Sequence, residues 1–427
     1  MSGTQDRIKK DIFKKIEEFF NEESERSQER LSVAYPCFDH REVNQALDSL
    51  LDLWISQGPK VKKFESDYAD YIGVKHGIAC NSGSSANLLA VSALIATGRV
   101  NVGDEVIVPS ATFTTVVSPL LQCGLIPVFV DIEMETYNID PKAIEEAITD
   151  KTGLIMVVDS LGCPAKMDEI LEISNRYNVP ILEDCCEAHG SAILNKKIGS
   201  FGLVSTFSFF VAHNMTTGEG GMVMTNDDEL NSTLRSLREF GRLVDKDENE
   251  TRFYYTDEEL TEYDERYVFT QVGFNLRMTD IAASLGIEQL KKLDSFNEKR
   301  NVIAKKYTEA LSKYSSLIKT PSVPEGFYHT FYGYPILVNP NASFTRRELV
   351  NFLEDNGIET RAFMGGDLSR QPAYRDTKCE VRKEMKNTKT IAESGFFIGC
   401  HPFVSDSQIK NFVNCFSRFL EDRASWV

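Results

Sequence analysis

Between residues 76 and 226 the sequence repeats one pattern seven times: a short apolar, β-branched run bounded by turn residues. The runs cover residues 77–80, 105–109, 127–132, 154–159, 180–184, 204–209 and 221–225. Helical spacing fills most of the gaps, around 86–96, 141–148 and 167–177. This alternation predicts an open, mostly parallel α/β sheet. Ligands of such sheets sit at the carboxyl ends of the strands, so the residues at those ends are the first candidates for a site.

Four groups of residues fall there. Asn81-Ser82-Gly83-Ser84-Ser85-Ala86-Asn87 joins a strand to a helix. Small residues at a helix N-terminus leave N–H groups free to surround a phosphate, and an ordinary N-capped turn uses the same residues. Phe113 follows the second run, where a core role is the plain reading. Glu183-Asp184 closes an apolar run. An acid buried there needs a partner, and a helix N-cap aspartate is the alternative. The stretch FGLVSTFSFFVAHNMTTGEGGMVMTN, residues 201–226, reads as strand, polar turn, strand.

Together these motifs resemble the DegT/DnrJ/EryC1/StrS family of sugar aminotransferases, from about residue 40 to the end. The resemblance implies a fold type I, aspartate aminotransferase-like enzyme of pyridoxal phosphate. A large domain with a mostly parallel seven-stranded sheet would be followed by a smaller α+β domain. The expected division is a helical arm at 1–40, the large domain at 41–304 and the small one at 305–427. It assigns Gly83, Ser84, Ser85 and Ser208 to the cofactor phosphate and Phe113 to stacking on the pyridine. It assigns Asp184 to the pyridine nitrogen and places Glu187 beside the ring. Asn275, in Gly273-Phe274-Asn275, matches an asparagine that relatives send into the partner subunit's phosphate site, which implies a homodimer with shared sites. Arg361 and Arg370 are candidates for gripping a carboxylate or diphosphate of the substrate, although a surface ion pair explains either one alone.

One position departs from most of the family. The residue five after the serine is a lysine there, joined covalently to the cofactor; here the serine is Ser208 and the fifth residue on is His213. An imidazole moves protons but does not tether the aldehyde. The resemblance therefore narrows to the histidine-bearing 3-dehydratase branch, with pyridoxamine phosphate held noncovalently and His213, near its ordinary pKa of about 6.5, as base. The implied reaction removes the C3 hydroxyl of a nucleotide-diphospho-4-keto-6-deoxyhexose, with Asp184 supporting the ring. The alternatives are a nucleotide-sugar aminotransferase using glutamate and a cofactor-binding protein without catalysis. One subgroup of histidine-bearing relatives carries a two-iron cluster on four cysteines. Cys186 matches one ligand, but no cysteine lies between Cys186 and Cys379, so no cluster and no other metal is expected. Cys185-Cys186 then reads as buried packing. Without a cluster, the route expected to complete turnover uses glutamate rather than a reductase partner.

A net charge of −17 argues against nonspecific nucleic-acid binding. No stretch has the length of a membrane span, and MSGTQDRIKKDIF lacks a signal peptide's apolar core, so a cytoplasmic location is expected. Residues 6–30 read as an amphipathic helical arm, 42–56 as a helix, and the acidic stretch 245–265 as a solvated loop or surface helix. Further helices are expected at 281–293, 299–313 and 345–355, with a strand at 329–338; the resemblance implies a small-domain strand at 357–361.

Overall fold

The computed structural model describes residues 3–22, 30–243, 254–255, 263–264 and 267–424. All seven expected strands are present: β1 (His76–Cys80), β2 (Glu105–Pro109), β3 (Ile126–Val130), β4 (Thr152–Val158), β5 (Ile181–Asp184), β6 (Val204–Ser208) and β7 (Gly221–Thr225). Strands β2 to β6 run parallel, and β7 lies antiparallel between β6 and β1. The C-terminal part adds β8 (Ile318–Lys319), β9 (Gly333–Val338), β10 (Thr360–Ala362), β11 (Glu380–Val381) and β12 (Gly395–Gly399). β11 joins β3, so the large sheet has eight strands in the order β1-β7-β6-β5-β4-β2-β3-β11. The extra edge strand corrects the expectation of seven. Its two residues are exposed and too few to show a period, and Arg382 pins it by donating to Glu105 Oε1 at 2.8 Å.

The central strands are buried on both faces, which is why they read as continuous apolar runs. Ile155 and Val157 face one core with Phe64, Tyr68 and Ile170. Leu154, Met156 and Val158 face the other, with Leu89, Leu120 and Leu234. The helix bearing Leu120, Thr114–Gln122, was not expected; Pro119 inside it and its β-branched start mask the helical signal. β8, β9, β12 and β10 form a second, antiparallel sheet. Ile303, Tyr307, Leu349, Phe412 and Phe416 fill its core. The helix Leu293–Leu311, within which the expected boundary after residue 304 falls, reaches both cores, with Leu293 in the first and Tyr307 in the second.

The N-terminal helix is Gly3–Glu22 and buries none of its side chains. It is held to the helix His40–Leu51 by Lys9, paired with Asp48 and Asp52. Residues 23–29 of the expected arm lie outside the described residues, as does most of 245–265. Within the latter, Tyr254–Tyr255 pairs with Tyr263–Asp264.

β1 is an edge strand, closed off by a buried ion pair. Glu65 accepts from Ala79 N (2.9 Å), Arg238 Nη1 (2.6 Å) and Arg235 Nη1 (2.9 Å). Arg238 is 3% exposed. Glu65→Ala takes from that guanidinium its shortest ion pair and leaves it Glu239 and Ala79 O, so it is expected to cost about 1–3 kcal/mol, more than Glu65→Gln. Urea unfolding of the cofactor-free protein measures both.

Candidate active site

The carboxyl ends of β4, β5 and β6 and the start of the helix Gly83–Ala96 open onto a cavity of about 610 Å³. Gly83, Ser84, Phe113, Asp184, Glu187, Ser208, His213 and Arg361 all line it. The topology thus brings together residues spread over 279 positions.

The helix start is built for close approach. Ser82 is the N-cap: its Oγ accepts from Ser85 N at 3.1 Å, and its carbonyl takes Ala86 N. The N–H groups of Gly83 and Ser84 are left without an intrahelical partner beside the cavity. A Cβ on Gly83 would stand 2.4 Å from Ser208 Cβ, so only glycine lets Ser208 reach the helix end. Free N–H groups, two hydroxyls and the helix dipole together suit a phosphate. Ser85, by contrast, serves the cap, its Oγ accepting from Ser82 Oγ at 3.0 Å, and it does not line the cavity.

Asp184 is 5% exposed and is held by N–H donors. Asn87 Nδ2 donates to Oδ2 at 2.7 Å and Cys186 N to Oδ1 at 3.1 Å. Asn87 Oδ1 in turn accepts from Thr206 Oγ1 at 2.6 Å, which fixes the amide's orientation. Glu187 lies on the same wall. Burial, with the charge of Asp184, pushes its carboxyl up to about 8, against the pull of Leu161 N, which donates to Oε2 at 2.7 Å. Two neighbouring acids thus hold different roles: Asp184 is furnished as an acceptor, and Glu187 keeps a proton at neutral pH.

His213 stands opposite, its backbone N donating to Phe210 O at 3.0 Å. Its Nδ1 is buried with no hydrogen-bond partner among the described residues. Burial, then His189 and Arg300, push its imidazole well below 6.5. This corrects the expectation of an ordinary histidine: the ring is neutral across the neutral range and is a weaker base. His189 bridges Tyr68 and the site. Its Nε2 is 2.7 Å from Ser208 O, which only accepts, so Nε2 donates and Nδ1 accepts from Tyr68 Oη at 2.7 Å.

The remaining candidates lie apart. Asn275 is exposed, outside this chain's own cavity, with Oδ1 accepting from Arg277 Nε at 3.1 Å. Arg370 is exposed on the turn Leu368–Arg370 and does not line the cavity. Arg361 is at the rim, with Nη1 donating to Thr360 O at 2.8 Å and Nη2 paired with Glu359. Cys185 is buried, but Cys186 lines the cavity, which corrects its reading as packing.

The model of the DegT/DnrJ/EryC1/StrS aminotransferase family matches residues 36–417. The chain belongs to this family. It is 36% identical over 384 residues to the dTDP-4-dehydro-2,6-dideoxy-D-glucose 3-dehydratase of Saccharopolyspora spinosa, covering 88% of this chain and 83% of that one. It is 39% identical over 392 residues to the GDP-perosamine synthase of Caulobacter vibrioides, covering 92% and 98%. Among solved structures, GDP-4-keto-6-deoxymannose-3-dehydratase with a trapped PLP-glutamate geminal diamine superposes with a TM-score of 0.83 at 29% identity, covering 90% of this chain and 99% of that one.

As a DegT/DnrJ/EryC1/StrS protein the chain is a pyridoxal phosphate enzyme, and its cavity fits that group. The unpartnered Nδ1 of His213 and the glycine-only contact at Ser208 are the features a ligand would complete. Sequence reading missed Asn87, Thr206 and Tyr332. A buried asparagine one turn inside an apolar helix was the available signal for Asn87; nothing local marked the other two.

Glu187 gives a test of the charge arrangement. Its folded pKa lies above its ordinary 4.5, so its contribution to stability is complete below that value and falls away as pH rises through about 8. Glu187→Gln is expected to flatten this decline. Thermal melts of the cofactor-free protein from pH 5 to 9 read it as a wild-type loss that the variant lacks.

Proposed function

We propose that this chain removes the C3 hydroxyl of a nucleotide-diphospho-4-keto-6-deoxyhexose, with His213 as base. One observation carries the reading: His213 lines the cavity with Ser208 and Asp184, and among the described residues no lysine does.

Pyridoxal phosphate, in its amine form, would supply an electron sink for this elimination. The chain's own groups do the rest. The N–H groups of Gly83 and Ser84, with Ser208, hold the phosphate. Asp184, fixed by Asn87, would favour a proton on the pyridine nitrogen. Phe113, 57% exposed at the cavity wall, would supply an aromatic face for the ring. His213, neutral and untethered, takes the proton whose loss drives the hydroxyl out. Arg361 at the rim suits the diphosphate.

Glutamate is proposed as the amino donor, in keeping with the PLP-glutamate adduct of the structural relative. A homodimer is proposed because Leu53, Trp54, Ile55, Phe240 and Val272 are exposed large apolar side chains, and Asn275 is exposed away from its own cavity. A cytoplasmic location is proposed from the soluble chemistry; no helix among the described residues is long and apolar enough to cross a membrane.

The 39% identity to a perosamine synthase makes the aminotransferase the second reading. Incubation with pyridoxal phosphate, glutamate and GDP-4-keto-6-deoxy-D-mannose or its dTDP-glucose counterpart, without reductase, separates the two. A product lacking one oxygen and carrying no nitrogen, with ammonia released, is expected; an aminated sugar selects the rival. His213→Asn is expected to lower turnover by about 10²–10⁴-fold. The acid limb of the pH–rate profile is expected below pH 6.5, because the imidazole is held neutral down to lower pH. If sites are shared, mixing His213→Asn with Asn275→Ala subunits restores activity, since each hybrid dimer keeps one site with both native residues.

A further inference from the structure

A catalytic histidine is ordinarily aimed by a hydrogen bond from its second nitrogen to a carboxylate or carbonyl. His213 has none at Nδ1 among the described residues. What faces its ring is aromatic. Tyr332 lies 5.3 Å away, centroid to centroid, at 41°, and also lines the cavity. His189 and Phe210 stand farther off, at 6.0 and 6.5 Å.

The backbone carrying Tyr332 is held at every carbonyl from residue 329 to 332. His329 O accepts from Asn301 Nδ2 at 2.9 Å, and Thr330 O from Asn214 Nδ2 at 3.0 Å. Phe331 O and Tyr332 O both accept from Arg300 Nη1, at 2.9 and 3.1 Å. Asn214, the residue after His213, also donates to Asn297 Oδ1 at 3.1 Å. On the other side Thr330 N and Tyr332 N donate to Gly162 O and Leu161 O. Phe331 sits at a φ of 45°, a conformation a phenylalanine keeps only when its surroundings impose it. The clamp therefore fixes both the turn that carries His213 and the segment that carries Tyr332 to one helix, Leu293–Leu311.

We propose that Tyr332 is a positioning residue for His213: its clamped ring sets the imidazole's orientation in place of a hydrogen-bonded carboxylate. The consequence for turnover rests on His213 being the base; the hold on the ring does not.

Two measurements test it. The protein has six histidines, so ring-¹³C-histidine in the cofactor-free protein gives a small spectrum, and the signal lost in His213→Asn is that of His213. Tyr332→Leu is expected to move and broaden this signal, while Tyr332→Phe keeps it in place. With pyridoxal phosphate added, the glutamate half-reaction is followed by loss of aldehyde absorbance. Tyr332→Leu is expected to lower its kcat about 10²-fold with KM unchanged, the cost of a small misplacement, and Tyr332→Phe recovers the rate. In a His213→Asn background the same leucine costs nothing further, because it acts through the imidazole. If Tyr332→Leu does not fold, Arg300→Lys keeps the charge but gives up the fork, and should displace the same signal. An unmoved His213 signal, a raised KM at constant kcat, or a Tyr332→Phe enzyme as slow as the leucine variant each overturns the proposal. An unimpaired half-reaction in His213→Asn removes the base reading instead, and the spectrum alone then decides Tyr332.

Discussion

The site depends on a carboxylate taken out of water. Asp184 ends β5 at 5% exposure, and an acid there is tolerable only with donors in place. The nearest come from three directions: Asn87 from a helix, Cys186 from the chain that follows, and Thr206 at one remove from the neighbouring strand. Asn87 cannot join Asp184 to Thr206 unless β5 and β6 are in register and the helix Gly83–Ala96 lies across their ends. The same packing brings Gly83 against Ser208. Satisfying one buried acid therefore also brings the helix start against Ser208.

Beside that acid the cavity keeps two titrating groups neutral. Glu187 retains its proton because burial and Asp184 both disfavour a second charge. His213 stays unprotonated because burial, His189 and Arg300 oppose a cation. Beside Asp184 stand a neutral acid and a neutral base, while the ion pair of Arg361 with Glu359 keeps to the rim. A lysine at position 213 would bring a cation into this arrangement as well as a tether.

Much of the large sheet was readable because its strands are buried on both faces and so announce themselves as apolar runs. The motifs at their ends were readable because a helix N-terminus and a buried acid impose local residue types. What escaped was set by distance or by too short a pattern. Thr206 earns its place through Asn87, 119 residues earlier, and Tyr332 through the helix Leu293–Leu311, so neither carries a local mark. Ser84 and Ser85 look alike in sequence, and only the N-cap geometry of Ser82 separates cavity from cap. Glu380–Val381 is too short for a period, and Pro119 hides a helix that tolerates it near its end. The ordinary pKa expected for His213 failed for a related reason: neither burial nor a distant arginine is visible along the chain.

Resemblance to both dehydratases and a perosamine synthase follows from this division of labour. Dehydratases and a perosamine synthase alike match most of the chain, so similarity across 88–92% of it does not distinguish the reactions. On the proposed reading, the difference lies in who moves the proton and what holds that group in place. A lysine is positioned by its own covalent bond when the cofactor is bound. A histidine has no such anchor and must be aimed by its surroundings. On the proposed role of His213, the burden of aiming passes to the segment 329–332 and to the helix that grips it, outside the large sheet. A change of one residue in the site thus carries structural requirements on a wall contributed by the C-terminal part of the chain.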